Sequence, residues 1–312
     1  MTRVLVTGGS GFVGTAVVAA LHKARRSVTV ALRRPEAETP PGARRVVVGE
    51  IGPETDWREA LEGVESVIHL AARVHVMRET EADPDAAFGR VNGAGSRRLA
   101  EAVAEAGVRR LVLVSSIKVN GERTPIDRGF TGDQPPAPED AYGRSKLSAE
   151  RQVRGLLGSR SVIVRPPLVY GSGVGGNLAA LMRAIKRGAP LPFGAIRNKR
   201  SLIARENLAS ALLAALDHPD AAARSFTLAD GSDYATPELI RLIAEAMGRR
   251  PWVPTIPEGL LRFLGRATGR TATIDRLCGS LVVDPSAFMA ATGWRPVVAP
   301  DAAIAEMAAA YR

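Results

Sequence analysis

Short apolar runs closed by glycine or charge alternate, along the first half of the chain, with segments whose apolar positions recur three or four apart. Arg3-Val4-Leu5-Val6-Thr7 is the first such run, and it stops at Gly8-Gly9 as a strand buried on both faces does. Val13, Val17 and Leu21 then recur four apart, which predicts a helix from about Phe12. Further strands are predicted at Val28 to Leu32, Arg45 to Val48, Val64 to Leu70 and Arg110 to Ser115. Between the last two, Phe88, Val91, Leu99, Val103 and Ala106 mark one long helix that ends at Gly107. The proline-rich loop Gln134 to Pro138 leads into a helix from about Ala141 to Leu157, and Ser161 to Arg165 gives a sixth strand. Strands and helices in alternation specify an α/β fold, a parallel sheet covered by helices on both faces.

Beyond Val169 the pattern loosens. A glycine loop, Gly171 to Gly176, opens a stretch of mixed helices and short strands, with prolines clustered between 251 and 257. This predicts two parts: a sheet domain over 1–170 and a smaller C-terminal portion over 171–312, whose looser pattern suits substrate binding. A strand at Ser225 to Ala229 and a helix at Pro237 to Met247 are expected to return to the sheet domain.

Composition narrows the classes. At 46% hydrophobic and 24% charged, the chain is an ordinary globular protein, not a disordered or fibrous one. The single cysteine, Cys278, excludes an intramolecular disulfide and a cysteine-based zinc site, and the His/Asp/Glu spacings of a metal site are missing, so no metal is expected. Lys+Arg total 42 against 32 Asp+Glu, a net +10, and all but five of the cations are arginine. They fall as singles and pairs, never in blocks of five, and aromatics are only 4%, so nucleic acid is not the expected partner. Arginine does suit diphosphates, which it grips through two parallel hydrogen bonds. Val4 to His22 carries no formal charge, but the glycines from Gly8 to Gly14 interrupt it as a signal sequence. With no other segment of spanning length, a cytoplasmic protein without a membrane span is expected.

The chemistry-bearing residues lie where strands end. Gly8-x-x-Gly11-x-x-Gly14 sits between the first strand and first helix, where glycines let the backbone approach a pyrophosphate held at the helix N-terminus. The second strand ends in Ala31-Leu32-Arg33-Arg34, without a carboxylate to bond the adenosine ribose. An arginine pair there suits a 2′-phosphate, so NADP(H) is favoured, with NAD(H) as the alternative. In Tyr142-Gly143-Arg144-Ser145-Lys146, the tyrosine and lysine share a helix face, and an ammonium there lowers the phenol pKa for proton exchange with an alcohol or ketone. Ser116, at the end of the fifth strand, is placed to hydrogen-bond the reacting oxygen.

With these pieces in order, the chain resembles the extended short-chain dehydrogenase/reductase family, in its nucleotide-sugar epimerase/dehydratase branch. The likeness rests on Thr7 to Gly14, Ile68 to Ala72, Val91-Asn92, Val114 to Ser116, Tyr142 to Lys146 and Arg165 to Gly171, extending through Arg200-Ser201-Leu202 and Asn207-Leu208. It implies a Rossmann sheet with Gly8, Ser10, Gly11, Phe12, Val13 and Gly14 around the pyrophosphate and Arg33, Arg34, Glu50 and Ile51 at the adenosine end. Leu70, Ala71, Ala72, Asn92 and Pro166 would line the cofactor groove, and Ser116, Tyr142 and Lys146 would form the catalytic triad. Tyr142 and Lys146 would also touch the cofactor. His75, Ser116, Asn177, Arg200 and Arg276 would meet the nucleotide sugar. The chain departs from the family pattern at Asn120, where a tyrosine is usual, and at Glu50-Ile51, where an aspartate commonly touches adenine.

Arg73 to Met77 and Ser115 to Gly121 look most like a subgroup containing UDP-4-keto-sugar reductases. The leading expectation is therefore an NADPH-dependent reductase acting at C4 of a UDP-4-keto sugar and giving a UDP-N-acetylquinovosamine-type product, a step of cell-surface polysaccharide synthesis. A UDP-glucose or UDP-N-acetylglucosamine 4-epimerase with tightly bound NAD is the alternative, and a non-catalytic dinucleotide sensor is the third. The resemblance also implies a homodimer paired through the helices at about 84–106 and 142–157.

Overall fold

A computed structural model describes residues 2–74, 83–269 and 271–311. The sheet half contains β1 (Arg3–Thr7), α1 (Phe12–Lys23), β2 (Ser27–Leu32), β3 (Arg44–Val47), α2 (Arg58–Leu61), β4 (Ser66–His69), α3 (Pro84–Phe88), α4 (Gly95–Glu105), β5 (Arg110–Val114), α5 (Ala141–Leu157) and β6 (Ser161–Arg165). There follow β7 (Leu168–Tyr170), α6 (Gly176–Lys186), β8 (Arg200–Ala204), α7 (Arg205–Asp217), β9 (Arg224–Thr227), β10 (Asp233–Tyr234), α8 (Thr236–Ala246), α9 (Glu258–Ala267), α10 (Thr271–Cys278), α11 (Ser286–Thr292) and α12 (Pro300–Ala309).

Among the described residues, seven strands form one sheet in the order β3-β2-β1-β4-β5-β6-β9, every pairing parallel. This is the Rossmann arrangement, with the order reversing between β1 and β4. Register aligns Thr7 with Ala31 and with His69, and His69 with Leu113. The residues that follow these strands therefore emerge together on one edge of the sheet, where ligands of open α/β sheets bind.

Alternate strand residues serve opposite faces. Val4 and Val6 pack with Val17, Leu21, Leu208, Leu212 and Phe226 beneath α1 and α7, while Leu5 packs with Trp57, Leu99, Val103, Leu111 and Val153 beneath α4 and α5. A separate core of Tyr170, Met182, Ile240, Ile243, Ile304 and Met307 joins α6, α8 and α12. A smaller sheet, in the order β10-β8-β7, is built from strands after residue 167, with β7 parallel and β10 antiparallel to β8. Asp230 stitches β7, β8 and α7: it accepts hydrogen bonds from Tyr170 Oη (2.7 Å), the Ala204 amide (2.9 Å) and Asn207 Nδ2 (2.7 Å). Asn207 Oδ1 in turn accepts from the Val297 and Val298 amides. The strand expected near 225 stands in the main sheet beside β6, and α8 packs on α6 and α12.

One expectation needs correction. The helix predicted as continuous from about 84 to 106 is broken by a π-helical stretch, Gly89–Ala94, between α3 and α4. Glycines let this segment pack closely. A side chain at Gly95 would put its first carbon 2.6 Å from Ile51 Cγ2, and one at Gly93 would put it 3.0 Å from Ser148 Oγ. Single π turns inside helices mark functional sites, and this one carries Asn92. No helix among the described residues is long and apolar enough to cross a membrane.

Candidate active site

The cleft at the carboxyl edge begins with the backbone. Gly8 sits at φ +70°, and a side chain there would lie 2.9 Å from the Ala71 amide nitrogen. At Gly14 the first side-chain carbon would be 2.0 Å from Gly8 O, so α1 can pack against the strand–loop turn only with glycine at that position. The N-cap of α1 is Gly11, which has no side chain to bond the first-turn amides, and the first turn holds no acidic residue. Those amides face the loop as a ready anion cradle.

A cavity of about 280 Å³ opens beside them, lined by Gly8, Ser10, Arg33, Glu50, Ile51, Ala71 and Ala72, together with Ala31, Leu32, Val48, Gly49, Arg73 and Val91. An adenosine end and a pyrophosphate cradle thus meet in one groove, and the residues present fit a bound dinucleotide. Arg33 lines it from the end of β2, whereas Arg34 is exposed and outside the lining. Leu70, Phe12 and Val13 are half-buried around the same turn, and Pro166 is buried, its carbonyl accepting the Ile117 amide at 3.0 Å.

Sequence reasoning missed the polar network under this floor. His69 Nδ1 lies 2.6 Å from Thr7 Oγ1, which accepts the Ala71 amide at 3.1 Å, and His69 Nε2 lies 2.9 Å from Ser96 Oγ. Burial, with the Lys146 charge adding to it, drives the His69 pKa down to about 3, so the imidazole is neutral and the network is a fixed brace. The strand-end Thr7 was the one legible signal for it. Asn92 makes a second brace: it bonds Arg73 through both backbone groups (2.8 and 3.0 Å) and donates to Ser145 Oγ at 2.9 Å. The loop after β4 is thereby tied to the helix that bears the candidate catalytic residues.

That helix starts at Asp140, whose carboxylate caps the Gly143 amide at 2.7 Å. Gly143 is required because a side chain there would press 2.8 Å from Lys118 O, in the turn directly after Ser116. Lys118 Nζ also bonds the Asp140 carboxylate, and Glu122 at 2.8 Å. The start of α5 is so fixed against the end of β5, which brings Tyr142 to Ser116. Lys146 is buried and donates to Val114 O at 2.6 Å. Phe88 meets the Tyr142 ring edge-on at 6.0 Å.

The titration differs from the sequence expectation. Burial, helped by the Asp140 charge, pushes the Tyr142 phenol up to about 12, and the Ser116 hydroxyl works in the opposite direction. Burial brings Lys146 down to about 8, which Glu150 partly resists. Desolvation sets the phenol, and the Lys146 ammonium is engaged by the Val114 carbonyl.

The expected substrate residues are more dispersed. Arg200, half-buried at the start of β8, donates to the carbonyls of Arg276 (2.7 Å) and Gly279 (3.0 Å). Arg276 is exposed on α10, and with Glu122, Arg123, Thr271 and Asp275 it lines a cavity of about 310 Å³. Asn177 is exposed in the first turn of α6. His75 lies outside the described residues. Asn120, the departure from the family pattern, is buried, donates to Thr131 O at 2.9 Å and accepts from Arg165 at 3.0 Å, beside the buried Arg165–Glu150 pair. No group of three or more metal-ligating side chains occurs among the described residues.

A seven-stranded Rossmann sheet with a glycine cradle and a Ser–Tyr–Lys set at its carboxyl edge defines a dinucleotide-dependent enzyme of the short-chain dehydrogenase/reductase type. The chain belongs to the NAD dependent epimerase/dehydratase family, whose pattern it matches over residues 4–229. It is 41% identical over 298 residues to a UDP-glucose 4-epimerase of Vibrio cholerae, covering 94% of this chain and 90% of that one. In fold it matches a UDP-glucuronic acid 4-epimerase from Bacillus cereus in complex with NAD, with TM-score 0.79 and 18% identity over 99% of this chain and 98% of that one. It also matches a short-chain dehydrogenase/reductase superfamily protein from Agrobacterium tumefaciens with bound NAD, with TM-score 0.76 and 25% identity over 99% and 96%.

Proposed function

We propose that the protein is a UDP-sugar 4-epimerase that retains NAD through its catalytic cycle and acts on UDP-glucose or UDP-N-acetylglucosamine. The likeness over nearly its whole length to the Vibrio cholerae 4-epimerase carries this reading, ahead of the reductase expected from the sequence. Bound in the groove lined by Gly8, Ser10, Arg33 and Ala71, NAD would supply reversible hydride acceptance at the sugar carbon. The chain's own residues supply the rest.

Tyr142 takes the proton of the C4 hydroxyl and later gives it back, with the Ser116 hydroxyl donating to the same oxygen. A phenol held near 12 is a weak donor of its own proton at neutral pH, so it needs positive charge close by before it can act as a base. With a pKa of about 8, Lys146 is charged in most molecules at neutral pH and sits on the same face of α5. Gly8, Ser10, Gly11, Phe12, Val13 and Gly14 hold the pyrophosphate, and Arg33, Glu50 and Ile51 the adenosine end, with Arg34 nearby. Leu70, Ala71, Ala72, Asn92 and Pro166 wall the groove. Asn177, Arg200 and Arg276 receive the sugar diphosphate, with His75 as a further contact. The α3–α4 segment and α5 pair two copies in a homodimer.

The test is to denature the purified protein, identify the nucleotide released, and follow UDP-glucose and UDP-N-acetylglucosamine by proton NMR. Stoichiometric NAD with formation of the 4-epimer is the expected result. The second reading, an NADPH-dependent C4 reductase, is favoured by Arg33 in the cleft and the absence of a carboxylate before Glu36. Oxidation of added NADPH by a UDP-4-keto-6-deoxy-N-acetylhexosamine, without retained NAD, would establish that reading instead.

A further inference from the structure

The helix α9 carries two apolar faces. Leu261, 3% exposed, and Gly265 turn inward, with Leu261 part of the core that joins α6, α8 and α12. Leu260, Phe263 and Leu264 turn outward, 48%, 66% and 44% exposed, and exposed Ala267 extends the row. Positions 260, 263, 264 and 267 make one continuous stripe along a ten-residue helix about 15 Å long. Trp252, six residues before the helix begins, is 63% exposed. A stripe of large apolar side chains held outward by the fold marks an interaction surface.

Charge identifies the partner. The chain from 249 to 276 contains Arg249, Arg250, Arg262, Arg266, Arg270 and Arg276 against only Glu258 and Asp275. Both carboxylates are engaged by Arg262, and Asp275 also by Arg123 at 3.5 Å. Arg249, Arg250 and Arg266 are exposed and form no ion pair among the described residues. An apolar helix face of leucine and phenylalanine, with an exposed tryptophan and unpaired arginines in the segment leading to it and Arg266 on the helix itself, suits the surface of an anionic bilayer.

We propose that α9 and the Trp252 segment dock the protein on an anionic phospholipid membrane, with Leu260, Phe263, Leu264 and Trp252 entering the headgroup boundary and Arg249, Arg250 and Arg266 meeting lipid phosphate. The next helix, α10, packs on α9, and its Arg276 carbonyl accepts from Arg200. Docking therefore sets the side of the molecule that bears Arg200 and Arg276 next to the membrane. The proposal stands independently of which sugar the enzyme turns over, because its readout is binding.

The full-length protein is sedimented with vesicles of phosphatidylcholine alone and with about 30% phosphatidylglycerol, at low and raised salt. Co-sedimentation with the anionic vesicles, weakening with salt, is expected. Trp252 is the exposed one of three tryptophans, the others, Trp57 and Trp294, being buried, so vesicle binding should shift the intrinsic emission to the blue. Phe263→Glu with Leu264→Glu, both at exposed positions, should reduce partitioning at least about tenfold without loss of folding, and Arg249→Ala with Arg250→Ala by about fivefold per arginine removed. Absence of binding to anionic vesicles, or binding unchanged in the Phe263→Glu/Leu264→Glu variant, overturns the proposal. So does concentration-dependent self-association that the same variant abolishes in the absence of lipid binding, which would assign the face to a second copy of this chain.

Discussion

The two sides of the cleft are built by different means. On the dinucleotide side the decisive positions are ones where no side chain fits. A side-chain carbon at Gly14 would meet Gly8 O, one at Gly8 the Ala71 amide nitrogen, and one at Gly95 the Ile51 side chain. The proposed substrate contacts are side chains on separate elements outside the lining of the dinucleotide groove: Asn177 on α6, Arg200 on β8 and Arg276 on α10. Backbone contacts tolerate little exchange, because a misplaced carbon moves the main chain. Asn177 and Arg276, both exposed, can be exchanged with little cost to the fold, whereas Arg200 also bonds two backbone carbonyls. The dinucleotide groove is thus specified sterically, and the proposed substrate contacts by side-chain chemistry.

Gly14→Ala should break this contrast most severely. The added carbon meets a backbone oxygen that cannot give way, so a loss of about 3 kcal/mol of stability is expected, with failure to retain NAD. Urea unfolding and the nucleotide content of the purified variant measure both.

Tyr142→Phe should leave folding intact and lower turnover about 10²- to 10⁴-fold, as removal of a positioned acid–base group does. Near-normal epimerisation by this variant would remove Tyr142 from the reaction.

Arg200→Ala should raise the KM for the UDP-sugar about tenfold, the effect of one charge-assisted hydrogen bond, with kcat and NAD content little changed. An equal loss in NAD retention would show that the two sides are not separable as described.

The effect that is smallest at neutral pH shows itself only in acid. The folded pKa of His69, about 3, lies below its ordinary 6.5, so the unfolded chain binds the extra proton between those values. Its contribution is complete above pH 6.5 and is lost as pH falls toward 3. In urea titrations across this window, His69→Gln should flatten the decline relative to the parent protein.

Much of the sheet half was legible because strand and helix periodicities there are local. The ends of β6 and α5 fall where the apolar pattern puts them, at Arg165 and at Ala141 and Leu157. The π turn through Asn92 was not, since the segment packs at Gly93 and Gly95 against residues about fifty positions away on α5 and about forty before them after β3. The Thr7–His69–Ser96 brace escaped notice for the same reason: three commonplace residues become a unit only when β1, β4 and α4 are assembled. The pKa expectation for Tyr142 had the wrong sign because spacing on a helix reports which groups are near, while burial depends on everything packed around them.

By itself, then, the sequence determined the parallel α/β fold, the glycine cradle, and the order of Ser116, Tyr142 and Lys146 along the chain, all of which follow from local periodicity and from short motifs at strand ends. Only the tertiary structure decided which arginines line the groove, how Asp140 and Lys118 secure the catalytic helix, and which face of α9 looks outward. Those are properties of distance and exposure, and they exist only once remote segments have packed together.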